Sequence, residues 1–213
     1  MNAISKKAVP QALRDAPALD ANLQALIDRR VEERFQELMQ QREAERVPRL
    51  SIIATKGTLD MAYPPFILAS TAAAIGWDVS VFFTFYGLEL LRKDLDLQIS
   101  PLGNPAMPMK MPMGPDWLRK IDMNIPNSVM AAVPGFDSMA TAMMKKTLGD
   151  KGVASIADLR EASLEGEVKL WACQMTVDLF GYDPDVFIPE VAGWIGATSF
   201  LEMTKGADAT LFV

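Results

Sequence analysis

With 213 residues, half of them hydrophobic, and a formal charge of −6, the chain is long enough to bury one ordinary core plus an appendage. The acidic balance supplies no basic face for nucleic acid, so none is expected as a partner. Histidine is absent and cysteine occurs once, which excludes within this chain Ser-His-Asp and Cys-His catalysis, histidine-ligated zinc, an intrachain disulfide and a C-x-x-C redox pair.

Residues 1–18 read as a loose arm without the continuous apolar run of a secretory signal. Together with the single cysteine this leads to a cytoplasmic expectation. Residues 20–46 form the clearest helix. Leu23, Ile27, Val31, Phe35 and Leu38 recur at spacings of four, four, four and three, Asp20 is placed to cap the start, and Pro48 follows the end. This stripe serves either packing within the chain or oligomerisation. The expected division is an arm and amphipathic helix over 1–48 and an α/β domain over 49–213.

After Pro48 the pattern changes. LSIIAT (50–55) is a short apolar run of the kind that makes a buried strand, TKGTLD (55–60) is a turn, and residues 61–76 make a helix with Pro64 and Pro65 in its first turn. DVSVFFTFY (78–86) is a second buried strand. The stretch from Met61 to Trp77 carries no charge, but a membrane span needs about 20 apolar residues. Its prolines and Gly76 favour a buried helix leading into a strand.

That β-α-β unit implies a parallel sheet with helices on both faces, a flavodoxin-like or Rossmann-like three-layer α/β fold. Further on, 115–123, 137–149 and 158–165 read as helices, with Ser155 as a cap, and 125–135 as a short strand or helix. EVKLWAC (167–173) reads as a strand, QMTVDLFG (174–181) as a short helix, residues 185–205 as a helix broken at Gly193 or Gly196, and ATLFV (209–213) as a last strand.

Cys173 therefore falls at the carboxyl end of a parallel strand, just before a helix, on the edge where open α/β sheets carry their chemistry. The first amides of that helix, around Gln174 and Met175, would favour thiolate over thiol. A thiolate attacks sulfane sulfur or accepts it as a persulfide. A free cysteine is equally familiar as a small buried hydrophobe. Thr55, Lys56, Gly57 and Thr58 lie at the end of another strand and can present amides, hydroxyls and one positive charge to an anion, although a plain β-α turn accounts for most of them. Met107, Met109, Met111 and Met113 alternate along NPAMPMKMPMGP. They suit either a Cu(I) site of thioethers or an adaptable apolar surface. No G-x-G-x-x-G follows the first strand, and no cofactor is expected.

Three segments in order, LSIIATKGTLDMAYPPFILASTAAAIGWDVSVFFTFYGLELL, NPAMPMKMPMG and WACQMTVDLFGY, resemble the second, larger subgroup of the DsrE/DsrF/DsrH-like family, some of whose members are called peroxiredoxin-family proteins. The resemblance covers about residues 50–213. It implies a homo-oligomer of flavodoxin-like or Rossmann-like subunits that carries sulfur as a cysteine persulfide, with or without turnover as a sulfurtransferase. It also implies rhodanese-like and TusA-like partners in bacterial sulfur oxidation and leaves peripheral membrane association open. The family's sulfur-accepting cysteine, in its A-C-Q-M segment, corresponds to Cys173.

Overall fold

The computed structural model describes residues 20–100, 115–120 and 132–213. The chain divides into two compact units, Met1–Arg46 and Val47–Val213.

In the first unit, helix α1 spans Ala21–Ala44, and the Asp20 carboxylate accepts a hydrogen bond from the Asn22 amide. No residue of α1 is buried, and Leu23, Ile27, Val31, Phe35 and Leu38 all stand exposed. Short ion pairs, Arg29 to Glu33 and Arg34 to Glu37, run along its polar flank. Solvent screens such exposed pairs, so they contribute little.

The second unit is a five-stranded, wholly parallel sheet in the order β4-β3-β2-β1-β5. Its strands are β1 (Arg49–Ala54), β2 (Asp78–Phe83), β3 (Lys169–Cys173), β4 (Gly193–Ile195) and β5 (Ala209–Phe212). Helix α2 (Leu59–Ala74) joins β1 to β2. A 3-10 segment (Phe85–Leu91), a single helical turn (Asp116–Arg119), α3 (Phe136–Asp150) and α4 (Ile156–Glu165) lie between β2 and β3. Helix α5 (Gln174–Phe180), a short 3-10 turn (Pro184–Val186) and β4 follow, and α6 (Ala197–Thr204) leads to β5.

Alternation along the strands separates two cores. Leu50, Ile52 and Ala54, with Val79, Val81 and Phe83 and with Leu170 and Ala172, face α2 and α4 and form the larger core with Ala62, Phe66, Ala69 and Ile156. The opposite set, Phe82 and Cys173 with half-buried Ile53, Trp171 and Ile195, packs on Phe200 of α6. Among the described residues, one face is packed by α2 and α4 and the other by the short helix α6. The strand order requires this: three crossovers step across the sheet in one direction, while the connection through α6 steps back to β5.

Three local expectations need correction. The helix expected over 61–76 begins at Leu59, because Leu59 is buried, its amide donates to the Gln98 carbonyl (2.9 Å), and the Ala62 amide already closes on Thr58 (2.9 Å). Pro64 and Pro65 therefore sit inside α2 rather than in its first turn, and two i→i−4 bonds are forgone. The helix expected over 185–205 is instead a 3-10 turn, strand β4 and α6. The unpaired edge of β3 recruits Gly193–Ile195, and Gly193 is the residue that can lie over the Trp171 ring, where a Cβ would stand 3.1 Å from a ring carbon. The second strand also ends early: Phe85 takes φ = +49°, and the chain turns into the 3-10 segment. The segment expected over 125–135 as a short strand or helix lies mostly outside the described residues.

Candidate functional site

Strand register brings the site together. Phe83 of β2 pairs with Ala172 of β3, and Cys173 pairs with Ile195 of β4, so the next residue of β2's chain, Thr84, stands level with Cys173 at the carboxyl edge. Helix α5 starts immediately afterwards with Cys173 at its cap position and stops at Gly181, which takes the left-handed conformation (φ = +64°) that a helix end of this kind needs. Three residues into this turn, Thr176 is fully buried and faces back to the strand ends.

Cys173 is 2% exposed. Burial pushes its thiol pKa up, but the Thr176 hydroxyl, the Thr84 hydroxyl and the Thr176 and Met175 amides together outweigh burial and hold it below the ordinary thiol value. The two hydroxyls also lie 3.2 Å from each other, and the Phe85 amide donates to Thr176 Oγ1 at 3.3 Å. Each hydroxyl has one proton and can rotate. The Phe85 amide occupies an acceptor position on Thr176, so the Thr176 proton goes either to Thr84 or to the sulfur. The left-handed backbone of Phe85 turns that amide inward, a conformation that costs about 1–3 kcal/mol for a residue other than glycine.

In front of Cys173 lies a cavity of about 300 Å³, half open, with walls from Phe82, Phe85, Met175, Phe200 and Leu201. Phe82 and Phe200 stack with ring centroids 4.8 Å apart. Thr84 and Cys173 are the polar side chains of its lining; no lysine or arginine is among them.

The other residues singled out in the sequence are placed as follows. Met175 is 59% exposed, borders the cavity and directs its amide to the thiol. Gln174 is exposed and donates to Asp178 at 2.7 Å. Thr55 to Thr58 lie on the same sheet edge, but none lines the cavity. The Thr55 amide and hydroxyl both donate to the Val213 carbonyl (2.9 and 3.1 Å), tying this turn to the end of β5. Lys56 points into solvent, and Thr58 stands at the cap of α2 without a side-chain cap bond. Gly57 lets the turn approach the 3-10 segment, where an added Cβ would come within 2.3 Å of the Tyr86 carbonyl oxygen. Met107, Met109, Met111 and Met113 lie outside the described residues. Among the described residues no cluster of acidic, cysteine or histidine side chains could hold a metal, and no helix is long and apolar enough to cross a membrane.

Sequence reasoning missed Thr84, Phe85 and Thr176. A signal for Thr84 was available: parallel neighbours end at the same edge, so the residue just past one apolar run tends to meet the residue ending the next. Thr176, three residues after the cysteine, is one helical turn on. Phe85 carried no signal, since its backbone conformation is set by the packing of the following segment.

Comparisons with known proteins add the relatives. Residues 46–212 match the DsrE/DsrF/DrsH-like family. The chain is 54% identical over 166 residues to "Sulfur carrier protein DsrE2" of Allochromatium vinosum, covering 78% of this chain and 98% of that protein. It is 29% identical over 170 residues to "Uncharacterized protein YrkE" of Bacillus subtilis, covering 79% and 99%. Among solved structures, the YchN protein of E. coli aligns with a TM-score of 0.42 and 12% identity over 78% of this chain and all of that one.

Proposed function

The chain belongs to the DsrE/DsrF/DrsH-like family, and from that premise we propose that it is a sulfur carrier which holds sulfane sulfur as a persulfide on Cys173 and hands it to a partner protein. The observation that carries this reading is the surroundings of Cys173: a buried sulfur at the carboxyl edge of the sheet that borders an apolar cavity, with the Thr84–Thr176 hydroxyl pair and the first amides of α5 holding its thiol pKa below the ordinary value. A relative named as a sulfur carrier, matched over nearly its whole length, supports it.

The step needs one sulfur per protein. The Cys173 thiolate attacks the outer sulfur of a donor persulfide, R–S–SH. A new S–S bond forms, the old one breaks, and the donor leaves as a thiolate with the electron pair. Delivery is the same exchange in reverse, with an acceptor thiolate attacking the outer sulfur on Cys173. Neither step consumes an oxidant or reductant. The hydroxyl pair and the α5 amides stabilise Cys173 as the attacking anion and again as the leaving anion. Rhodanese-like and TusA-like proteins are the donors and acceptors of this reading, and a homo-oligomer in the cytoplasm is its setting.

Incubating the protein with a small-molecule persulfide and weighing it by mass spectrometry tests the proposal. The expected product is heavier by sulfur on Cys173 and returns to the starting mass when an acceptor thiol is added. An adduct that survives Cys173→Ser, or no adduct from any persulfide, overturns it.

A further inference from the structure

The cavity at Cys173 has chemistry of its own. Among the described residues its walls are aromatic and aliphatic, and none of those lining it is a cation. Sulfur donors fall into two classes by where their charge sits, on an oxyanion group or on the terminal sulfur of a chain, inorganic polysulfides being anions of the second kind. Thiosulfate and its relatives carry their sulfane sulfur on an oxyanion, which must lose water to reach a buried nucleophile and needs cations to replace that water. Persulfides and inorganic polysulfides present neutral, polarizable inner sulfurs, which make favourable contacts with aromatic rings. Phe82, Phe85 and Phe200 supply such rings.

Size points the same way. The cavity, at about 300 Å³, is far larger than the roughly 30 Å³ share of one liquid water, and a divalent sulfur atom is of comparable size to a water. A single added sulfur keeps the terminal negative charge close to the apolar walls of Phe82 and Phe200. A longer chain carries that charge to the open mouth, near exposed Leu201 and Met175.

We propose that this cavity makes Cys173 selective for persulfide and polysulfide donors over oxyanion donors such as thiosulfate, and lets it hold a chain of more than one sulfane sulfur. The proposal rests on the persulfide reading of Cys173. With polysulfide, the thiolate attacks a sulfur of the chain, one S–S bond forms and another breaks. The shorter sulfide fragment leaves with the electron pair, so no further reactant is needed.

The experiment loads the intact protein with sodium tetrasulfide or with sodium thiosulfate, traps the chain ends by alkylation, and reads intact and peptide masses. Tetrasulfide is expected to give adducts of two or more sulfurs on Cys173, and thiosulfate to load a fraction lower by about tenfold or more. Ala197 borders the cavity on an exposed helix turn, so Ala197→Leu is expected to keep the one-sulfur adduct and lose the longer ones. Leu201→Lys, which brings a cation to the mouth, is expected to raise thiosulfate loading relative to tetrasulfide. Equal loading of the natural protein by both donors overturns the donor selectivity. Chain lengths unchanged by Ala197→Leu and matched by the urea-unfolded protein overturn the role of the cavity. If neither donor nor the small-molecule persulfide loads Cys173, the carrier reading itself falls, and the donor proposal with it.

Discussion

Replacing Thr176 by valine removes a hydroxyl that helps hold the Cys173 pKa down while keeping the shape of the side chain. A hydrogen bond to a charged group contributes about 1.5–3 kcal/mol, and one pKa unit corresponds to about 1.4 kcal/mol. The thiol pKa of Thr176→Val is therefore expected to rise. The Thr84→Val change is expected to act in the same direction, and Thr176→Ser, which restores the hydroxyl, to return toward the natural value. Because the chain has one cysteine, the midpoint of alkylation rate against pH reports this group with no competing thiol. The midpoint is the quantity to compare, because a less acidic thiolate is also a better nucleophile and the rate at one pH understates the shift. Stability follows with a definite sign. The folded pKa of Cys173 is depressed, so its contribution is present above the unfolded thiol value of about 8.5 and is lost as pH falls through the folded pKa. The melting-temperature difference between natural protein and Thr176→Val should shrink over that window. Midpoints that do not move in either valine variant, with both still folded by circular dichroism, would refute the donor network as the source of thiolate stabilisation.

Four further outcomes are expected. Gly87→Ala puts a Cβ 2.3 Å from the Ala54 carbonyl oxygen and should lower unfolding free energy by about 1–3 kcal/mol in urea titration. Phe200→Ala removes a fully buried ring stacked on Phe82 and should cost about 3–5 kcal/mol by the same assay. Tyr182 donates to Glu89, and burial with that carboxylate beside it pushes its pKa up to about 12. Ultraviolet titration should show a tyrosine that ionises late, and Glu89→Gln should bring it forward; the stability tied to this raised pKa is complete below about pH 10 and is lost as pH rises toward 12. Deleting residues 1–46 removes a helix whose whole apolar stripe is exposed and should lower the number of subunits per particle in light scattering.

What could be read in advance follows from the range of the forces involved. The apolar stripe of α1 and the alternating runs of β1, β2 and β3 are local patterns, and each element forms close to where its pattern lies. Cys173 at a strand end was legible for the same reason. The edge strand β4 was not: GWI is too short for a period, and its strand conformation exists because Trp171 to Cys173 offer an unpaired ladder. The start of α2 was misplaced because the Gln98 carbonyl, far along the chain, takes the Leu59 amide. The hydroxyl pair at the site depends on sheet register, and a register couples residues 92 apart. Propensity carries none of this information.

The two faces of the sheet connect fold to chemistry. On the proposed carrier reading, a sulfur that is exchanged cannot sit in the thick core between the sheet and α2 and α4, where Leu170 and Ala172 are fully buried. Alternation puts Cys173 on the other face, where, among the described residues, the cover comes from the eight residues of α6 in the return connection to β5. That thin cover leaves the half-open cavity, while the sheet edge, together with the start of α5, supplies the donors. A buried thiolate is costly unless its hydrogen bonds are made. In this protein they come from rigid elements on the strand side, so the opposite side of the sulfur can stay apolar and unoccupied by protein. A site built from cations would reverse that arrangement, stabilising the anion from the entrance and admitting oxyanions along with sulfur. If the proposed carrier reading holds, the placement of Thr84, Thr176 and two amides behind Cys173, with Phe82 and Phe200 in front, separates activation of the thiol from selection of what reaches it.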